Sequence, residues 1–118
     1  MKNLSVEALI TLLGHSTNKG TKEKVEKIIA NTKGFEQIKK HIVHLNDALK
    51  AHKSYITLSN TYDYFKIKTK ASSPEIVKNT HNIIHKWAQK YKIEIKKVLN
   101  KNTYYIIGQQ TKPLYISK

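Results

Sequence analysis

The spacing of apolar residues changes near residue 54, and that change limits the folds open to this chain. Before it, Phe35, Ile38, Ile42, Leu45 and Leu49 recur at intervals of three and four, the period of a helix with one buried face. After it, Tyr55-Ile56-Thr57-Leu58 and the run Thr61 to Thr69 alternate with a period of two, as strands covered on one side do. The helical period returns between Ile76 and Tyr91 and gives way again at Lys92. Neither an all-helical nor an all-strand fold accommodates both patterns, so an α+β class is expected.

Local signals set the expected boundaries. Ser5 and Gly14 bracket a helix over 6–13, and a second runs from Thr21 to about residue 32, before Gly34. The third spans 35–51. Ser59-Asn60 suits a two-residue turn, which would place Tyr55 opposite Tyr64 and Thr57 opposite Tyr62 in a hairpin over 55–69. Ser72 and Glu75 have capping-box spacing, with Pro74 in the first turn of a helix over 74–91. A second hairpin is expected over 92–107, turning at Asn100-Lys101-Asn102, and Leu114–Ile116 can add an edge strand beginning at Pro113. The order reads as three N-terminal helices followed by a ββ-α-ββ(β) layer with an antiparallel or mixed sheet. Phe65, Ile67, Ile93 and Ile95 should pack beneath Ile76, Ile83, Ile84 and Trp87 of the last helix.

A chain of 118 residues suits one domain, 1–118, made of a helical part (1–53) and a sheet-rich basic part (54–118). It has no cysteine, which excludes disulfides and thiolate metal sites. No apolar run approaches the ~20 residues of a membrane-spanning helix. Glu7 stands where a signal peptide would be apolar. A reducing, cytoplasmic setting is expected, with no cofactor.

Charge identifies the class of partner. Twenty-two basic residues, all lysine, face eight acids, for a formal charge of +14. An AT-rich coding bias accounts for lysine in place of arginine but not for lysine outnumbering the acids. The excess points to a polyanion, DNA or RNA first. Lysine is a point charge suited to phosphates, whereas arginine is the usual bidentate reader of guanine. Backbone-directed binding with little sequence selectivity follows.

Alternation concentrates the candidate site. Tyr62, Tyr64, Lys66, Lys68 and Lys70 share one phase of the second strand, and the proposed register brings Tyr55 to the same face. Lysines to hold phosphates beside tyrosines to stack bases make a single-strand binding surface; the plain alternative is a solvated outer face. A second basic cluster comprises Lys86, Lys90, Lys92, Lys96 and Lys97, and a solvated helix end and strand explain it as well.

Other constellations are thinner. Ala30 and Gly34 have helix-turn-helix spacing, but Lys33 and Lys40 occupy positions where that motif wants apolar residues; a plain αα-hairpin is the better reading. His41/His44 and His81/His85 have helical neighbour spacing but lack further ligands, so surface histidines are expected. Asp63 with Glu94-Ile95-Lys96 resembles the Asp…Glu-x-Lys set of restriction-type nucleases, in which two carboxylates hold a metal and the lysine assists water. Asp63 lies on the opposite phase from the basic face, and a helix separates the two acidic segments. The helix-ββ-helix-ββ order is similar to that of homing endonucleases, without their Gly-Asp-Gly helix end at residues 48–54. The expected function is a non-enzymatic nucleic-acid binder. The competing readings are a small metal- or histidine-dependent nuclease and an adaptor for an acidic protein.

Overall fold

Side chains that accept hydrogen bonds from orphan backbone N–H groups start the first two helices. The computed structural model describes residues 5–110. Ser5 caps α1 (Val6–Leu12) by accepting from Ala8 N at 3.0 Å. Asn18 caps α2 (Lys19–Asn31) by accepting from Thr21 N at 2.8 Å. That helix therefore begins two residues earlier than the expected Thr21, since Gly20 is absorbed into its first turn. Gly34, left-handed at φ 69°, separates α2 from α3 (Phe35–Lys50). The fourth helix, α4 (Pro74–Tyr91), has Ser73 as its N-cap with no side-chain cap bond. The Ser72–Glu75 capping box is thus out of register by one residue. Lys92, also left-handed, ends this helix.

Four strands form one antiparallel sheet in the order β1-β2-β4-β3: β1 (Ser54–Leu58), β2 (Phe65–Thr69), β3 (Ile93–Lys97) and β4 (Thr103–Gln109). Two hairpins are joined by the central β2–β4 pair. The suggested strand over residues 114–116 lies outside the described residues.

The β1–β2 connection differs from expectation. Ser59–Tyr64 forms a wide loop, closed by Ser59 N donating to Tyr64 O at 3.1 Å. The Ser59 hydroxyl accepts from Thr61 N and Tyr62 N at 3.2 Å each. A two-residue turn of the hairpin-favouring type I′ needs positive φ at both central residues. Among the described residues only Lys53, Lys92 and Asn100 are non-glycine residues with positive φ. Tyr55 consequently pairs with Lys68 instead of Tyr64, and Thr57 with Lys66 instead of Tyr62. The displacement, from 64 to 68, is an even number of residues, so every side chain keeps its face.

The core lies between the sheet and helices α3 and α4. Phe35 stacks on Phe65 with centroids 6.1 Å apart. Ile38, Ile42, Leu45 and Leu49 of α3 are buried with Ile56, Ile67, Ile84, Ile93 and Ile106. Trp87 is buried as expected, and its indole Nε1 donates to His41 O at 2.9 Å. Asn46 ties three elements together: its Oδ1 accepts from Ile56 N at 2.9 Å and its Nδ2 donates to Leu12 O at 3.3 Å. Gly108 lets the α2–α3 connection approach β4, because a Cβ there would lie 2.7 Å from Lys33 N. No helix among the described residues is long and apolar enough to cross a membrane.

Candidate nucleic-acid interface

Residues alternate fully along β4. Tyr104, Ile106 and Gly108 are buried; Thr103, Tyr105, Ile107 and Gln109 are half-exposed. The buried phase faces α3 and α4, as the edge-on contacts of Tyr104 with His81 (5.4 Å) and His85 (5.5 Å) show. The other phase belongs to the sheet's outer side, where Tyr55, Thr57, Lys66, Lys68, Thr103 and Tyr105 all remain partly accessible and Lys96 is exposed.

Tyr105 sits at the middle of this outer side, paired with Lys66 on β2 and Lys96 on β3. The β1–β2 loop adds two more rings. Tyr62 meets Tyr105 edge-on at 5.7 Å, and Tyr64 lies tilted at 5.7 Å. Tyr62 is 57% exposed even with Tyr105 beside it. Helix α2 holds the loop in place: Lys24 Nζ donates to Asn60 Oδ1 and Asn31 Nδ2 to Asp63 O, each at 2.9 Å. At the other end of β1, Lys70 Nζ stands 5.4 Å from the Tyr55 ring centroid, within cation–π range.

The expected group Tyr55, Tyr62, Tyr64, Lys66, Lys68 and Lys70 is therefore gathered on one side, although Tyr62 and Tyr64 lie in a loop and not in the strand. The second basic cluster divides. Lys96 joins the outer side beside Tyr105. Lys97 pairs with Tyr104, and its Nζ donates to Lys101 O at 2.9 Å. Lys86 and Lys90 are exposed on α4, which covers the opposite side of the sheet.

Two residues absent from the expected site, His15 and Lys24, belong to it by position. His15 Nε2 is 3.1 Å from Thr57 Oγ1. With Asn60 they wall a hollow of about 420 Å³ whose floor includes Tyr55, Thr57, Lys66 and Lys68. Lys66 is only half-exposed, and its ammonium is held below the ordinary lysine value first by burial, then by the charges of Lys68, Lys24 and Lys101. Among the described residues, ion pairs join Lys22 to Glu7, Lys39 to Glu36 and Lys50 to Asp47, all in the helical part. No lysine of the outer side has a carboxylate partner among them. Such a surface lowers its own repulsion by taking up anions.

The nuclease-like set does not assemble. Asp63 lines a hollow with Glu23, Lys24 and Lys27, whereas Glu94 lines another with His85, Gln89 and Lys92. Among the described residues no three His, Asp or Glu side chains are grouped to hold a metal. Two histidines expected at the surface are instead packed. His41 stacks on Tyr91 at 3.7 Å, and its Nδ1 is buried without a partner. His81 lies against Tyr104 with Nε2 buried and unpaired. Helix α2 packs on α1 more than on α3, so the expected αα-hairpin of α2 and α3 is not a closely packed pair. Helix α3 buries its apolar stripe against the sheet, and on it Glu36 and Asp47 engage Lys39 and Lys50. No protein-family model, curated protein or solved structure matches this chain.

Proposed function

We propose that this protein binds nucleic acid on the outer side of its sheet, without catalysis, through lysine contacts to phosphates and tyrosine stacking on bases. The observation that carries the reading is the arrangement around Tyr105. Tyr62 and Tyr64 each lie 5.7 Å from Tyr105 between ring centroids, and Tyr105 is flanked by Lys66 and Lys96 in register, lysines free of carboxylate partners among the described residues. A +14 chain attracts any phosphate backbone at low salt. Rings that accept an unstacked base favour single strands over duplex, because duplex bases are already stacked on each other. A phosphate-directed lysine surface reads little sequence.

Backbone and tyrosine-ring NMR resonances, followed while a short single-stranded oligonucleotide is added, test this reading. Shifts should concentrate at Tyr55, Tyr62, Tyr64, Lys66, Lys68, Lys96 and Tyr105, leaving α3 and α4 unmoved. Shifts confined to α4 around Lys86 and Lys90, or none at low salt, would overturn it.

A further inference from the structure

The hollow beside β1 differs from the open sheet surface next to it, and the difference bears on which part of a nucleic acid it takes. Its floor continues the outer side through Lys66, Lys68 and Tyr55, but its wall rises from the helical part. Lys24 is anchored there by its 2.9 Å bond to Asn60, and His15 by its 3.1 Å contact with Thr57. Since β1 is an edge strand, a chain lying across the sheet from Tyr105 past Lys66 and Lys68 meets His15 and Lys24 of the helical part at that edge. Three ammonium groups, from Lys24, Lys66 and Lys68, line about 420 Å³, a volume at the small end of ligand sites. An internal phosphodiester brings one negative charge. A terminal phosphate monoester, whose second proton dissociates near pH ~6, brings close to two at neutral pH.

We propose that this hollow is an end-binding subsite that receives the terminal phosphate monoester of a polynucleotide strand, with the adjoining nucleotide against Tyr55. The proposal rests on the sheet-surface reading for the rest of the strand. Lys24, Lys66 and Lys68 neutralise the phosphate, His15 and Thr57 offer hydrogen bonds to its oxygens, and Lys70 over Tyr55 adds a further cation beside the terminal nucleotide.

The test compares affinities of the full chain for short oligothymidines carrying a 5′-phosphate, a 3′-phosphate or hydroxyls at both ends, each labelled at the end not being compared. At least one phosphorylated end should bind about tenfold more tightly than the hydroxyl form, the ratio supplied by one additional charge-assisted hydrogen bond. Lys24→Gln should bring the ratio of phosphorylated to hydroxyl affinity close to one, with a smaller loss for the hydroxyl oligomer because Lys24 also anchors the Ser59–Tyr64 loop, and with the melting temperature little changed. Equal affinity for all three oligomers in the wild type overturns the subsite and leaves the sheet surface standing. So does a preference that survives Lys24→Gln. Tight binding of inorganic phosphate or phosphorylated ends with no affinity for the hydroxyl oligomer upholds the hollow as a phosphate site but overturns the sheet surface. Loss of all binding at low salt overturns both.

Discussion

Tyr104 and Tyr105 are adjacent in β4 and face opposite ways. Tyr104 is 1% exposed, boxed by His81 and His85, with its hydroxyl 3.1 Å from His85 Nε2. Burial pushes its phenol above the ordinary value. Tyr105 is half-exposed between Lys66 and Lys96, with Tyr62 and Tyr64 against its ring. The same side chain thus serves cohesion on one side of the sheet and is left available on the other. The side with α3 and α4 is apolar and densely packed, whereas the side without them is cationic and aromatic. If that division is correct, the two sides respond to different measurements.

The largest effect is expected on the inner side. Trp87→Ala or Tyr104→Ala should each cost about 3–5 kcal/mol of unfolding free energy, as for other buried large aromatics, read from urea denaturation. Tyr105→Ala, whose ring borders solvent, should cost about 1 kcal/mol or less. Equal costs for Tyr104→Ala and Tyr105→Ala would break the comparison.

The next effect belongs to the outer side. Tyr62→Ala combined with Tyr105→Ala should weaken single-strand binding by about 1–3 kcal/mol for each stacked base lost, with a smaller change for duplex. Equal losses on single strand and duplex would mean that the rings do not stack on bases.

The smallest is a pH effect on the inner side. Burial holds His41 below the ordinary histidine value, with the charges of Lys40, His44 and Lys90 acting in the same direction. Burial also lowers His81, aided by the charges of Lys97 and His85. The unfolded chain therefore takes up protons at these sites at higher pH than the folded protein does. Stability is unaffected above the ordinary value of 6.5 and declines as pH falls below it. Urea midpoints between about pH 7.5 and pH 5 should fall, and fall less when His41 and His81 are both replaced by Gln. An unchanged slope in that double variant would place the proton uptake elsewhere.

How far the sequence foretold this division depends on the range of the interaction. Alternation is local, so the outer placement of Tyr55, Lys66 and Lys68 was legible and survived the wrong register. Helical period is local too, and it placed Trp87 and Ile84 in the core. The six-residue loop was not legible, because it depends on Asn31 and Lys24 reaching Asp63 and Asn60 from α2. Tyr105 lay within reach of the same alternation rule, since Tyr104 and Tyr105 must point opposite ways. It was missed because its importance comes from the β2–β4 pairing, which joins strands of different hairpins. His15 and Lys24 came from a part of the chain with no strand pattern, and only tertiary packing brings them to β1. The packing of His41 and His81 was hidden for a similar reason: Tyr91 stacks on His41 and Tyr104 meets His81 edge-on across the fold.

The salt dependence of single-strand binding, with and without the central lysines, tests the outer side's role most directly. If about 4–6 phosphates are neutralised, log affinity should fall with log salt at a slope of roughly −3 to −4 on a single strand. Replacing Lys66, Lys68 and Lys96 together by Gln should flatten that slope by about 2 and weaken all sequences alike, with the urea midpoint unchanged. A triple variant that keeps the wild-type slope and affinity would contradict the assignment of this side of the sheet as the binding surface.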